Sequence, residues 1–136
     1  MYLLDTNTCI YIIKKKKPNV IKRLNKNKDK GLCISSITLA EMEYGIENSD
    51  PDYHVKNRMA LIEFLSIFEI VNFDGKASKE FGKIKKDLKD KNCLIGPFDM
   101  LIGAQAKSLN MTLVTNNMDE FSRINDLKIE DWTIKT

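Results

Sequence analysis

The 136-residue chain contains one histidine, His54, and three cysteines, Cys9, Cys33 and Cys93. A lone histidine in a polar, loop-like stretch argues against histidine-pair ribonuclease chemistry and against zinc motifs, and reads as a surface residue. Three widely spaced cysteines without a C-x-x-C pair fit a reduced, cytoplasmic protein better than a zinc site or a disulfide framework. No apolar stretch approaches the ~20 residues that span a bilayer, so no membrane partner is expected. No basic n-region precedes Tyr2-Leu3-Leu4, which reads as a strand, so no signal peptide is expected. The sequence has neither a G-x-G-x-x-G nor a P-loop, which leaves nucleotide-cofactor binding without support. Neither Ser35-Ser36 nor any cysteine has a histidine neighbour in sequence that would mark a nucleophile.

What is present is ordinary in bulk and uneven in distribution. A composition of 43% hydrophobic and 30% charged residues fits a globular protein. The length predicts a single domain over 1–136 that buries roughly two thirds of its unfolded surface. Net charge is only +3, but the cations cluster. Lys14 to Lys17 form a run followed by Lys22, Arg23, Lys26, Lys28 and Lys30, and a second group holds Lys76, Lys79, Lys83, Lys85, Lys86, Lys89 and Lys91. Two solvated helix faces and a polyanion-binding surface around an acidic centre are both open readings of this pattern.

Strand and helix signals alternate without a Gly/Ser linker or repeat. Tyr2 to Leu4 reads as a strand, and a short helix runs from near Asn7 to about Lys14. Pro18 opens a polar helix to about Asn25. Asn25 to Gly31 reads as a charged loop and Leu32 to Ile34 as a buried strand. Thr38-Leu39-Ala40-Glu41 has the form of a capping box, placing a helix from 36–38 to Ile46. Val55 to Ser66 has helical spacing through Met59, Ile62 and Leu65. Ile70-Val71 is a strand signal, Lys76 to Lys91 a long amphipathic helix with Ala77, Phe81, Ile84 and Leu88 inward, and Pro97 to Leu109 a further helix. Met111 to Val114 is a strand, Met118 to Phe121 a short helix, and Leu127 to Ile134 a final extended segment. Apolar strands separated by helices predict an α/β sandwich with a mostly parallel sheet covered on both faces. In such sheets, sites lie beyond the carboxyl ends of the strands.

Three acids stand beside core-like runs: Asp5 after Tyr2-Leu3-Leu4, Glu41 after Ile37-Thr38-Leu39-Ala40, and Asp99 within Pro97-Phe98-Asp99-Met100. Carboxylates next to buried positions are costly unless paired, neutralised or bound to a cation. One shared all-oxygen site for Mg²⁺ or Mn²⁺ would resolve all three. Structural roles compete at each. Asp5 can cap the following helix, although Thr6 and Asn7 could do so equally well. Glu41 can be the partner of Thr38 in the capping box, with Glu43 a solvated neighbour. Asp99 falls at N3 of the helix opened by Pro97, where the helix dipole favours any acid. After the strand ending at Val114 come Thr115, Asn116, Asn117, Asp119 and Glu120; Asn117 could ligate or hydrogen-bond a metal's water, and Glu120 could add a carboxylate. Ordinary turn chemistry explains the two asparagines almost as well.

Together Leu3-Leu4-Asp5-Thr6-Asn7, Ile34-Ser35-Ser36-Ile37-Thr38-Leu39-Ala40-Glu41, Gly96-Pro97-Phe98-Asp99 and Leu113-Val114-Thr115-Asn116-Asn117 resemble the PIN domain, specifically the VapC-type toxins of bacterial toxin–antitoxin pairs. The resemblance runs through the Glu130-Asp131-Trp132 ending. It implies a Rossmann-like α/β/α sandwich, a homodimer, and Mg²⁺- or Mn²⁺-dependent endoribonuclease activity on structured RNA, often tRNA. By motif position, Asp5, Glu41 and Asp99 match the family's metal-binding acids, and Thr6, Asn7 and Thr115 match supporting polar residues. Many members carry a fourth acid where this chain has Asn117, and Glu120 is the candidate substitute. The resemblance also implies a cognate antitoxin that covers the active site and carries the complex to its operator DNA. Outside this class stand a non-enzymatic nucleic-acid-binding module and a phosphoacceptor receiver domain; the latter is disfavoured because Asp5 lacks an adjacent acid. A structure-specific DNA nuclease would carry more acids and inserted helices than this chain holds.

Overall fold

The computed structural model describes residues 1–135. Five short strands, β1 (Tyr2–Leu4), β2 (Leu32–Ser35), β3 (Glu69–Val71), β4 (Thr112–Val114) and β5 (Ile129–Glu130), form one sheet in the order β3-β2-β1-β4-β5. Every pairing is parallel, with Tyr2 opposite both Leu32 and Thr112, and Leu4 opposite Val114. The chain therefore winds outward from β1 through β2 to β3, then returns to β4 and β5. The reversal falls between β1 and β4, and that is where an open α/β sheet leaves a crevice at its carboxyl edge.

Neighbouring strand residues face opposite layers, and each layer has its own core. Leu4, Leu32, Ile34 and Val114 pack with α1 (Thr6–Ile13), α2 (Pro18–Asn27), α3 (Ser36–Glu47) and α4 (His54–Leu65), and with Trp132. Leu3, Cys33 and Leu113 pack with α5 (Gly75–Asp90), α6 (Pro97–Ser108) and α7 (Met118–Phe121). Burial of both faces of the central strands β1, β2 and β4 explains their unalternating apolar runs, whereas edge strand β3 is largely exposed. Gly103 on α6 allows a close approach, since a Cβ there would lie 2.6 Å from Ile124 Cδ1.

Several expectations need correcting. The segment expected as a charged loop after Asn25 continues α2 to Asn27 and then makes a 3-10 turn at Lys28–Lys30. The cap of α3 is Ser35, whose Oγ accepts from Ile37 N at 3.0 Å; Thr38 lies inside the first turn and forms no capping box. Ser35 wins because it is the last strand residue and already extended, the backbone a cap requires. Glu43 is partly solvent-exposed, as expected, and also pairs with Arg58 of α4.

In α4 the buried residues are Leu61 and Phe64, while Val55, Met59 and Ile62 are 77%, 61% and 56% exposed. This helix carries apolar residues on two faces, and periodicity cannot say which one meets the core. The result is an exposed apolar stripe at i, i+4, i+7. Of the final extended segment, only Ile129–Glu130 joins the sheet.

Candidate active site

Three strand ends meet at the crevice. Asp5 directly follows β1 and is 3% exposed. Its backbone N–H donates to Val114 O at 3.0 Å, carrying the β1–β4 ladder one residue further. Its Oδ1 accepts from Thr8 N at 2.9 Å, so Asp5 is the N-cap of α1, and neither Thr6 nor Asn7 takes that place. Thr8 also donates its hydroxyl to Val114 O at 3.3 Å. Burial pushes the Asp5 carboxyl above its usual range, against the opposing pull of the Thr115 and Thr8 hydroxyls and the Thr8 N–H. Capping and a place in the pocket are thus compatible, because a cap uses one lone pair of one oxygen.

Glu41 sits one turn into α3 and turns toward α1. The Thr6 hydroxyl donates to Glu41 Oε1 at 2.6 Å and lies 3.2 Å from the hydroxyl of the fully buried Thr38. Thr38 therefore serves the pocket rather than the helix end. Below it, Ser35 Oγ donates to Gln105 Oε1 at 3.1 Å, tying the end of β2 to α6 through two buried side chains.

Asp99 enters from the other side at N3 of α6, whose N-cap is Gly96 and whose first residue is Pro97. Its carboxyl is pushed up to about 6, first by burial and then by the charges of Asp5, Glu120 and Glu41, with a hydrogen bond to Glu120 adding to the rise. Glu120 is held by Asn117, whose Nδ2 donates to Glu120 Oε2 at 2.7 Å; the Asn117 N–H donates to Thr115 Oγ1 at 2.9 Å. The structure thus brings Asp5, Glu41, Asp99 and Glu120 into one electrostatic neighbourhood, with Thr6, Thr115 and Asn117 as hydrogen-bonding supports. Asn7 is exposed and Asp119 pairs with Arg123, so both lie outside it. His54 is tied to the turn before α4, with its Nε2 2.9 Å from Ser49 O.

Sequence reasoning missed Thr8, the pocket role of Thr38, and the Ser35–Gln105 tie. The available signal was a hydroxyl residue at each strand end or on the first turn after it. Among the described residues, no three acidic, histidine or cysteine side chains already converge as a ready ligand sphere for an ion. The donor chemistry nevertheless fits a hard cation: the facing groups are carboxylate oxygens whose mutual repulsion a divalent ion would relieve.

A doubly wound parallel sheet with four carboxylates at its reversal point defines a class of α/β proteins that gather acids for phosphate or metal chemistry. Comparison with known proteins identifies the group. The PIN domain family model matches residues 2–127, and the chain belongs to that family, in its VapC branch. It is 41% identical over 132 residues to the tRNA(fMet)-specific endonuclease VapC of Salmonella typhimurium, covering 96% of this chain and 97% of that one. It is 40% identical over 133 residues to ribonuclease VapC2 of Rickettsia felis, covering 97% and 98%. The structure of VapBC2 from Rickettsia felis bound to a promoter DNA fragment matches with a TM-score of 0.90 at 39% identity, covering 96% and 98%. DNA-bound VapBC from Salmonella typhimurium matches at 0.89 and 40% identity, covering 96% and 97%.

Proposed function

We propose that this chain is a metal-dependent endoribonuclease and the toxin of a toxin–antitoxin pair, hydrolysing a phosphodiester bond in structured RNA, with initiator tRNA the first candidate. The observation that carries the reading is the gathering of Asp5, Glu41, Asp99 and Glu120 at the sheet's reversal point, where burial and the other three charges push the Asp99 carboxyl up and a divalent cation would relieve the repulsion. The Salmonella relative, a tRNA(fMet)-specific endonuclease, supports the choice of substrate.

Asp5 and Asp99 would hold Mg²⁺, with Mn²⁺ as the alternative, and Glu41 would hold it directly or through water. Such an ion supplies Lewis acidity toward the phosphate and lowers the cost of deprotonating water. Glu41 is oriented by Thr6 and can take the proton of the attacking water. Asp5, fixed by the Thr8 N–H, keeps the pocket's geometry rigid at the sheet edge. Glu120, held by Asn117, takes the place of the fourth acid.

The relatives solved as VapBC complexes support an antitoxin partner, and through it operator DNA. The exposed Val55, Met59 and Ile62 stripe, and the largely apolar cleft between α1, α3 and α4, supply the surface that an antitoxin and a homodimer would need. We place the activity in the cytoplasm, where tRNA is. No helix among the described residues is long and apolar enough to cross a membrane.

The test is purified protein freed of any partner, incubated with bacterial tRNA and Mg²⁺ or Mn²⁺, beside EDTA and Asp99→Asn controls. Discrete fragments lost in both controls support the reading. Intact RNA with folded, metal-supplied protein overturns it in favour of a binding module.

A further inference from the structure

The two lysine-rich segments differ in how their charge is met. On α5, Lys83 pairs with Glu80, Lys86 with Asp90, and Lys91 with Asp87 one turn away, while Lys107 of α6 also approaches Glu80. Three acids of that helix, Glu80, Asp87 and Asp90, each meet a lysine and break up its positive charge, although among the described residues Lys76, Lys79, Lys85 and Lys89 form no ion pair. Around Lys14–Lys17 no acid is available locally, since none occurs between Asp5 and Asp29, whereas Lys22, Arg23, Lys26 and Lys28 also fall in that interval. Among the described residues, none of Lys14 to Lys17 forms an ion pair, and all four are exposed.

The turn is also fixed in place. Lys15 and Lys17 have φ of 52° and 56°, a conformation rarely adopted by residues other than glycine. Lys15 N donates to Ile12 O at 3.1 Å and Lys16 N to Tyr11 O at 2.9 Å, locking the turn onto the end of α1. Two contacts then join it to the acidic pocket. Lys17 Nζ lies 5.6 Å over the Tyr11 ring, and the Tyr11 hydroxyl accepts from Asn116 Nδ2 at 3.1 Å. Asn116 lies between Thr115 and Asn117, the two residues that connect to Asp5 and Glu120. On its other side, Lys14 lines the same cleft as Glu41.

We propose that the Lys14–Lys17 turn, docked through Tyr11 and Asn116 against the acidic pocket, binds the phosphate backbone of the RNA strand beside the scissile bond. The proposal rests on the ribonuclease reading above. A pocket of four acids repels the polyanion it must cut, and a fixed, unneutralised cationic turn at its rim offsets that repulsion at the neighbouring phosphates. The charge on α5 is interspersed with Glu80, Asp87 and Asp90 of the same helix, whereas no acid interrupts the turn, so α5 does not serve this role.

The test measures binding separately from cleavage. In an Asp99→Asn background, which removes turnover, labelled initiator tRNA is titrated by filter binding over a series of KCl concentrations. The variant Lys14→Gln/Lys15→Gln/Lys16→Gln/Lys17→Gln is compared with the equally charge-depleted Lys76→Gln/Lys79→Gln/Lys85→Gln/Lys89→Gln, with melting curves confirming that both fold. The turn variant should lose about 2–3 units of the log–log salt slope and on the order of 30-fold in affinity, and arginine at the four positions should restore both. The α5 variant should change the slope by less than one unit. Equal losses in the two variants would reduce the effect to net charge and overturn the proposal. An unchanged slope with impaired capture of the co-expressed antitoxin would assign the turn to protein binding and overturn it as well. Absence of cleavage by the wild type, with the slope difference intact, would count against the ribonuclease reading alone.

Discussion

On the wall of the pocket formed by α1 and α3, each acid has a neutral donor of its own: Thr8 N–H for Asp5 and the Thr6 hydroxyl for Glu41. On the wall formed by α6 and α7, Asp99 faces Glu120 carboxyl to carboxyl, and the donor present, Asn117 Nδ2, serves Glu120 rather than Asp99. On the first wall hydrogen bonds orient both carboxylates, although burial still pushes the Asp5 carboxyl up. The second stores repulsion that a cation or a proton must relieve. A divalent ion in this pocket would meet both, a fixed geometry on one side and a repulsion it relieves on the other.

The sharpest way to break this division is Asp99→Asn. It removes the most frustrated acid without altering shape, so cleavage of tRNA should fall on the order of 10³-fold, as EDTA should make it fall in the wild type. Secondary structure by circular dichroism should be unchanged. Activity within tenfold of wild type would mean that the α6 wall is not where the ion is held.

The division also predicts a pH dependence of stability. Asp99 binds its proton more tightly when folded, up to about 6, than in the unfolded chain, where the ordinary value is 3.8. Below 3.8 the folded and unfolded chains carry the same proton at this site and nothing is lost. Between about 4 and 6 the unfolded state ionises first, so stability falls as pH rises, by about 2 kcal/mol after allowance for partial exposure. The Asp5 shift has the same sign. The Tm of metal-free protein should therefore drop by several degrees from pH 4 to pH 7. Mg²⁺ should recover most of the loss at pH 7 and little at pH 4. Asn at position 99 should flatten the curve and make the metal-free protein more stable than wild type at pH 7. A Tm that rises over this window would show that neither Asp99 nor Asp5 holds its proton more tightly in the fold and would overturn the division.

The α1–α3 wall has a smaller, complementary test. Thr6→Val keeps the volume but leaves Glu41 without its orienting hydroxyl. Cleavage should fall about tenfold, with kcat affected more than KM, and stability should change by about 1 kcal/mol. Thr6→Ser should restore most of the rate. Equal effects of Thr6→Val on binding and turnover would make this wall a substrate contact instead of a fixed frame.

These two walls were not equally legible in the sequence. Strands, helix order and the parallel sheet could be read because apolar runs flanked by turn residues recur at regular spacing, and Asp5 and Asp99 stood out against those runs. The partnerships were hidden, because Thr38 reads as a helix cap whether or not its hydroxyl turns toward Thr6. Only the fold shows that the extended Ser35 takes the cap and releases Thr38. The exposed stripe of α4 was hidden for a related reason: Met59 and Ile62 have helical spacing, but so do Leu61 and Phe64, and burial went to the second pair. Glu120 could be named as a candidate by position alone; its tie to Asn117 depends on the turn between Thr115 and α7.

That tie offers the finest adjustment of the comparison. Asn117 contributes a donor where a carboxylate would contribute charge. Asn117→Asp would replace the 2.7 Å hydrogen bond to Glu120 with a third negative group on the already repulsive wall. The repulsion should hold the Asp99 proton to a higher pH, moving the stability drop upward, and should raise the affinity for Mn²⁺ a few-fold by calorimetry at pH 7. Asn117→Ala removes the support without adding charge, frees Glu120 to turn outward, and should lower that affinity by a similar few-fold. Opposite signs for the two variants would show that the wall works by accumulated charge and that Asn117 moderates it. Equal losses in both would show instead that the amide's geometry holds Glu120 in use, and that added charge cannot substitute for it.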